Sequence, residues 1–357
     1  MRIVAAMSGG VDSSVAAALL AAEGHDVVGL SMQLYDQRDG TQSFGSCCTL
    51  DDLHDARRVA RRIGIPHYIV NFERHFEERV VAPFVADYAA ARTPIPCVRC
   101  NSDLKFASLL DRADGLDAGH VATGHYARLE TLPRENGNGT VRRLRRAIDR
   151  TKDQCYFLFS LTQSQLARAS FPLGGMLKSE VRDYARDRGL IVADKPDSHE
   201  ICFVPDGDYA SFVARRLPGG PRDGRVVDTA GNVLGHHQGV HRFTVGQRKG
   251  LGVSSPARLY VTALDAASGT VTVGPRTALE RTALTAGGVN WIEGPPRPAS
   301  PVTAQIRHHH APAPAHVWPF GDAGLRLEFD EPQPAITPGQ AVVVYEDDVV
   351  VGGGWID

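Results

Sequence analysis

The sequence predicts an α/β protein whose first part is a doubly wound parallel sheet, followed by an all-β remainder. Three observations carry this expectation. Short apolar strands alternate with helical patterns over residues 1–130. A Gly-rich turn, Ser8-Gly9-Gly10, joins the first strand to the first helix. Near residue 204 Gly and Pro become frequent and the apolar alternation changes to period two.

In order, Ile3–Met7 reads as a strand and Val11–Ala22 as an Ala/Leu helix. Asp26–Met32 is a second strand. Asp51–Ile63 is a helix with Leu53, Ala56, Ala60 and Ile63 on one face. His67–Val70 is a third strand, Phe76–Arg92 a helix, and Val121–Gly124 a strand before His125. Ligands of such sheets bind at the carboxyl ends of the strands, where Ser8, Met32 and Gly124 fall. Residues 131–150 form a polar insertion with a basic run, Val141–Arg150, which reads either as a solvated strand or as a phosphate-contacting one. Helical signals return at Thr162–Ala169 and Lys178–Arg188. Val226–Val227, Val233–Leu234 and Leu259–Leu264 read as short strands, and Ala341–Tyr345 with Val349–Val351 as a hairpin.

The 357 residues call for two or three domains. With 22% charged residues and a net charge of −2, any nucleic-acid partner must meet a local basic surface. No apolar run approaches ~18 residues, so no membrane span is expected. The chain enters a strand at once, without a signal peptide, so the expected location is cytoplasmic. Six cysteines in such a chain do not make a disulfide framework; they read as chemistry or core.

Chemistry concentrates first at Ala6-Met7-Ser8-Gly9-Gly10-Val11-Asp12-Ser13. The glycines let the backbone curl with its N–H groups inward, and the following helix directs its positive end at the same point. Ser8, Ser13 and Ser14 add hydroxyl donors, and Asp12 is placed to help hold Mg²⁺. No Lys follows the glycines, so this is not G-x-x-x-x-G-K-[ST], and no G-x-G-x-x-G occurs. The pattern S-G-G-x-D-S resembles the PP-loop of ATP pyrophosphatases, with their adenine nucleotide alpha hydrolase-like fold.

Seven stretches together resemble the bacterial tRNA-specific 2-thiouridylases: S-G-G-V-D-S-S (8–14), C-N-S-D-L-K-F (100–106), A-T-G-H-Y-A-R (122–128), K-D-Q-C-Y-F-L (152–158), K-P-D-S-H-E-I-C-F (195–203), T-V-G-Q-R-K-G-L-G (244–252) and P-G-Q-A-V-V-V-Y (338–345). The PP-loop is shared with many enzymes; the later motifs, in this order, are more specific. The resemblance implies ATP-dependent 2-thiolation of the wobble uridine in the tRNAs for Lys, Glu and Gln. It implies a PP-loop catalytic domain (1–204), a small central domain (205–278) and a C-terminal β-barrel that contacts tRNA (279–357).

By the same resemblance Cys100 is the nucleophile and Cys202 the persulfide carrier, and Met32 and Gly124 join the cradle in contacting ATP. Two sulfur routes stay open: direct attack by the Cys202 persulfide, with Cys100 resolving it as a disulfide, or release of hydrogen sulfide by Cys100. Positions 95–97, His125, the triplet Lys152-Asp153-Gln154, Arg307, His308 and Gln340 match contacts to the anticodon stem-loop. A target base must leave its stack to be modified, so a snug pocket is expected. The sulfur donor is expected to be a cysteine desulfurase or a relay protein.

The chain departs from the family at Ile95-Pro96-Cys97, where members commonly carry Asn and Asp, so base contacts there are in doubt. Cys97 also creates a three-thiol set with Cys100 and Cys202, which would suit an iron–sulfur cluster; C-x-x-C alone equally allows a disulfide or zinc. Cys155 reads as a buried hydrophobe and Cys47-Cys48 as incidental. His308-His309-His310 is not read as a metal site, because consecutive strand residues point to opposite faces. Gly246–Gly250 reads as an RNA-docking turn. Two other readings remain: a PP-loop ligase forming an amide or guanidine, which needs neither cysteine, and a non-catalytic RNA-binding protein.

Overall fold

A computed structural model describes residues 1–35, 49–134, 139–197, 201–204 and 207–357. Cys47 and Cys48, the centre of the polar insertion and residues 198–200 lie outside them. The chain divides into two compact units. One comprises Met1–Val80, Cys97–Gly207 and Asp348–Val350; the other Val81–Pro96, Asp208–Asp347 and Val351–Asp357.

The first unit holds a five-stranded sheet in the order β3-β2-β1-β4-β7, parallel throughout. Its strands are β1 (Arg2–Ala6), β2 (Asp26–Gln33), β3 (His67–Asn71), β4 (His120–Ala122) and β7 (Ala169–Ser170). Helix α1 (Val11–Ala22) is buried nearly all round, because its alanines admit close approach to the sheet on one side and to α8 (Lys178–Asp187) on the other. Helix α2 (Leu50–Ile63) starts at a reciprocal cap between Thr49 and Asp52 and stops at Gly64, whose φ is +78°. A hairpin of β5 (Ala127–Pro133) and β6 (Thr140–Arg146) completes this unit, with Val349 paired to Arg145.

The helix expected over 76–92 is present as a continuous helical stretch over 73–89, but not as α-helix throughout. The chain forms α3 (Glu73–Phe76), a π-helical turn Glu77–Val81, and α4 (Ala82–Ala89). Pro83 sits at the start of α4 and has no N–H to continue the ladder from the preceding turn, which therefore widens. The helix expected at 162–169 is shorter, α7 (Gln163–Ala167), because Thr162 is its N-cap and Ala169–Ser170 leave to pair with β4. A further π-helical turn, Cys100–Phe106, lies between α5 (Pro96–Arg99) and α6 (Ala107–Asp114).

In the second unit α4 and α9 (Tyr209–Ala214) meet through the stacked rings of Tyr88 and Tyr209. A four-stranded sheet, β10-β11-β8-β9, comprises β8 (Gly224–Val227), β9 (Val233–His237), β10 (Tyr260–Asp265) and β11 (Thr270–Gly274). It encloses Val226, Phe243, Val261, Val271 and Val273. The last strands are β12 (Glu280–Trp291), β13 (Ser300–Gln305), β14 (Ala313–Phe320), β15 (Gly324–Pro334), β16 (Ala341–Glu346) and β17 (Val349–Ile356). They run in the order β12-β15-β14-β13-β16-β17, and β17 pairs back on β12 to close a barrel. Alternate residues fill it, among them Leu325, Leu327 and Phe329 on β15 and Val342 and Val344 on β16. Among the described residues no helix is long and apolar enough to cross a membrane.

Candidate active site

The chain leaves β1 through buried Met7 and turns at Gly9, where φ is +77°. A Cβ on Gly9 would lie 2.2 Å from the Asp52 carbonyl oxygen, so only glycine fits. Ser13 Oγ accepts from the Ser8 amide at 3.1 Å and shares a hydrogen with Ser8 Oγ at 3.2 Å, which holds the loop curled. Gly10 is the N-cap of α1, and no side chain caps the helix. The leading N–H groups of α1 are thus left to an anion, as a phosphate site requires. Gly124 lies just past β4 and presses on this start: a Cβ there would stand 2.6 Å from the Ser13 nitrogen. Buried Met32 is the penultimate residue of β2, which neighbours β1 in the sheet, and Ser31 Oγ donates to the Met7 carbonyl at 2.6 Å.

Asp12 is tied down in a way its sequence context did not indicate. Its carboxylate accepts from Lys178 Nζ at 2.7 and 2.8 Å and from the Tyr126 hydroxyl at 2.8 Å. Lys178 also pairs with Asp197 at 2.9 Å, and Asp197 further receives Lys152 Nζ at 2.8 Å and Arg182 Nη2 at 3.0 Å. Burial alone would raise the Asp197 pKa; hydrogen bonds and charge from Lys152 and Lys178 outweigh it and hold it at about 2. Two residues earlier, Lys195 Nζ donates to the Gly9 carbonyl at 3.1 Å, to Asp52 at 2.6 Å and to Asp55 at 2.8 Å. Lys195 and Asp197 are therefore fastened to the cradle on two sides.

Cys202 is half-buried. The next residue, Phe203, packs edge-on against Phe76 at 5.5 Å between ring centroids. Helix α3, which ends in Phe76, also packs on the π-helical turn that opens at Cys100. The two cysteine segments thus share one neighbour. Cys100 is buried and Cys97 exposed. Asn101 donates to the Phe157 carbonyl at 3.1 Å and accepts from Lys105 at 3.1 Å, which fixes that turn. Among the described residues no disulfide is formed; Cys97, Cys100, Cys155 and Cys202 are thiols. Cys155 is fully buried, donates to the Arg145 carbonyl at 3.1 Å, and has its pKa raised mainly by burial, as expected of an inert thiol. No three His, Cys, Asp or Glu side chains among the described residues are arranged to hold a metal ion.

The expected RNA contacts divide. Lys152 is committed to Asp197. Asp153 is almost wholly buried, its carboxylate accepting from Arg146 Nε at 2.7 Å and the Ala147 amide at 2.9 Å. Gln154 Oε1 accepts from the Tyr126 amide at 3.0 Å. Half-buried His125 shares a hydrogen with Thr123 at 2.8 Å, and desolvation, then Lys105, push its pKa down to about 3, so the ring is neutral. The basic run is likewise engaged within the protein: Arg145 pairs with Glu130 at 2.7 Å and Asp348 at 2.5 Å, and Arg142 bonds Thr131 and the Leu166 carbonyl.

In the second unit Gln340 Nε2 donates to the Thr93 carbonyl at 3.0 Å, and the Thr93 amide donates to the Pro338 carbonyl at 2.8 Å. These bonds hold the stretch that leads into Ile95 and buried Pro96. Gln305 Nε2 donates to the carbonyls of Arg307 and His308 at 3.1 and 2.6 Å. His308–His310 lie on a turn after β13, which ends at Gln305, so strand alternation does not govern them. Gln247 braces its own loop through Thr244 and Lys249, leaving Arg248 and Lys249 exposed.

Family models match the chain in three consecutive stretches. Residues 1–206 match a tRNA methyl transferase HUP domain, 210–275 a tRNA methyl transferase PRC-barrel domain, and 281–356 an aminomethyltransferase beta-barrel domain. The chain is 52% identical over its full length, and 95% of the relative's, to the tRNA-specific 2-thiouridylase MnmA of Geotalea uraniireducens. It is 52% identical to that of Solibacter usitatus, covering 99% of both chains. With that of Rhodospirillum rubrum it shares 50%, over 99% of this chain and 96% of the other. A parallel-sheet HUP domain, a PRC-barrel and a β-barrel in this order, at half identity end to end, place this chain in the family of tRNA-specific 2-thiouridylases.

Proposed function

We propose that this protein replaces the C2 oxygen of the wobble uridine in the tRNAs for Lys, Glu and Gln by sulfur, with ATP as the activating substrate. The uridine C2 oxygen attacks the α-phosphorus, pyrophosphate leaves, and the oxygen becomes part of an AMP leaving group. Sulfur from a Cys202 persulfide then attacks C2. By one route the persulfide's outer sulfur bonds C2 directly, AMP leaves, and the Cys100 thiolate attacks Cys202 Sγ to release thiouridine. By the other, Cys100 attacks Cys202 Sγ first and expels hydrosulfide, which attacks C2. Both end in a Cys100–Cys202 disulfide, so each turnover consumes an external dithiol reductant. The persulfide itself comes from a cysteine desulfurase or a relay protein.

The observation that supports this most is the fastening of Lys195 and Asp197 to the cradle, through Lys195 on Gly9 and through Asp197, Lys178 and Asp12. A sulfur carrier a few residues beyond a segment tied to the nucleotide loop supports this reading over an amide- or guanidine-forming ligase, which has no use for one. A divalent cation, for which Asp12 is the cradle's own carboxylate, would offset phosphate charge. Asp153 and Gln154 serve here by holding the backbone around Tyr126 and Ala147, and neutral His125 offers an uncharged ring to an unstacked base.

The test is nucleoside mass spectrometry of unmodified tRNA after incubation with the protein, ATP, a desulfurase with cysteine, and a dithiol. Thiouridine with equimolar AMP is expected. Pyrophosphate release without thiouridine, under conditions where Cys202 carries persulfide, would overturn the reading.

A further inference from the structure

By either sulfur route, each turnover leaves a Cys100–Cys202 disulfide that an outside dithiol must open. Cys100 is only 7% exposed and Cys202 is half-buried, so a dithiol carried on another protein has poor access to that bond. Cys97 is the one exposed thiol among the described residues, three positions before Cys100. We propose that Cys97 is a relay thiol, which opens the Cys100–Cys202 bond after turnover and carries the oxidised state to the surface as a Cys97–Cys100 disulfide. This rests on the function proposed above, where neither sulfur route uses Cys97.

Placement argues for it. Cys97 is the second residue of α5, and Cys100 opens the π-helical turn that continues it. One helical turn sets their Cα atoms about 5 Å apart, inside the roughly 4.4–6.8 Å that a disulfide spans. Their Cβ atoms, about 5–6 Å apart in a regular helix, must close by roughly 1–2 Å. Cys97 is the end that gives, because only Pro96 precedes it in the helix. The Cys100 end is held: Asn101 donates to the Phe157 carbonyl at 3.1 Å and Ser102 Oγ to the Val98 carbonyl at 3.2 Å. Burial changes across the same turn, from exposed Cys97 to buried Val98 and Cys100, so the pair runs from surface to interior. Cys155 offers no such path, since it is fully buried and donates to the Arg145 carbonyl.

The exchange balances without an oxidant. Cys97 loses its proton to solvent and its thiolate attacks Cys100 Sγ. The Cys97–Cys100 bond forms, the Cys100–Cys202 bond breaks, and the electron pair leaves on Cys202 Sγ, which is then ready for the next sulfur. The external dithiol attacks Cys97 Sγ at the surface and its second thiol displaces Cys97. Cys97 and Cys100 return as thiols and the reductant leaves as a disulfide.

The experiment begins with the wild-type chain, carrying persulfide on Cys202 and given ATP and unmodified tRNA without reductant. After one turnover, acid quenching, alkylation of remaining thiols and tryptic peptide mass spectrometry locate the disulfide; cleavage after Arg99 separates the two cysteines, so their bond is read as a linked peptide pair. A Cys97–Cys100 pair with alkylated Cys202 is expected, and Cys97→Ser should instead accumulate Cys100–Cys202. Wild-type protein that ends as Cys100–Cys202 with alkylated Cys97 overturns the proposal. The second readout is the steady-state thiouridine rate with reduced thioredoxin divided by that with dithiothreitol, which is small enough to reach a half-buried bond. Cys97→Ser should lower this ratio at least fivefold; an unchanged ratio overturns the relay. If wild-type protein makes no thiouridine, the proposed function itself falls; if it makes thiouridine while Cys97 stays alkylated, only this inference does.

Discussion

Asp12 and Asp197, far apart in sequence, share the ammonium of Lys178, at 2.7 and 2.9 Å. One carboxylate belongs to the nucleotide loop and the other to the stretch that ends in Cys202. Asp197→Asn leaves three cations facing one another at a partly exposed site. Solvent screening reduces the cost below that of a fully buried pair, to about 1–3 kcal/mol. Scanning calorimetry should show a melting temperature lower by several degrees, and thiouridine formation should fall more than ATP binding does.

The cysteines separate by role. Cys100→Ser and Cys202→Ser should each abolish thiouridine formation while ATP affinity stays within about threefold (tenfold would be 1.4 kcal/mol). Cys155→Ala should keep turnover near wild type and cost about 1–2 kcal/mol of stability, because it removes a small buried side chain whose donor only satisfies Arg145. Loss of activity in Cys155→Ala without loss of fold would contradict this division.

Gly124→Ala forces a methyl group to within 2.6 Å of the Ser13 nitrogen, a backbone atom that cannot swing aside. Either the start of α1 or the end of β4 must shift. Overpacking of this kind costs about 1–3 kcal/mol. Nucleotide affinity, read by calorimetry, should drop about tenfold while the far-ultraviolet dichroism stays that of the wild type.

Acid should destabilise the protein in two distinguishable stages. Folded His125 titrates at about 3 against an ordinary 6.5, so between these values only the unfolded chain takes its proton, and stability falls as pH drops through that window. Histidines 67, 120, 237, 241 and 310 are also lowered by burial and act in the same direction. Folded Asp197 titrates at about 2 against 3.8, so its contribution is full above about pH 4 and is lost only as pH falls toward 2. Urea midpoints from pH 7 to pH 4 should therefore decline less steeply in His125→Asn. In Asp197→Asn they should be lowered by a constant amount across that range.

Gln340→Ala removes the side-chain donor to the Thr93 carbonyl. The stretch into Ile95 loses one of its fastenings, and KM for tRNA should rise severalfold with a smaller change in kcat. A change confined to kcat would show that Gln340 acts on the reacting atoms instead.

The sequence by itself determined the alternation that makes the parallel sheet, because periodicity and the Ser8–Ser14 turn are local properties. It also determined the strand-rich second part and the family, because seven motifs in fixed order carry that information directly. It anticipated a helical stretch around Pro83 but not its π-helical turn, where a missing N–H outweighs apolar spacing, and it left open whether the basic run meets solvent or phosphate, where several of its arginines find Glu130, Asp153 and Asp348. Only the tertiary structure decided which charges meet. Lys178, Lys195, Asp197 and Tyr126 carry no local mark of nearness to the cradle, since an ion pair depends on through-space distance and chain separation leaves no trace in composition. The same holds for Phe76, whose ring joins the surroundings of Cys202 to a helix that packs on the turn opening at Cys100.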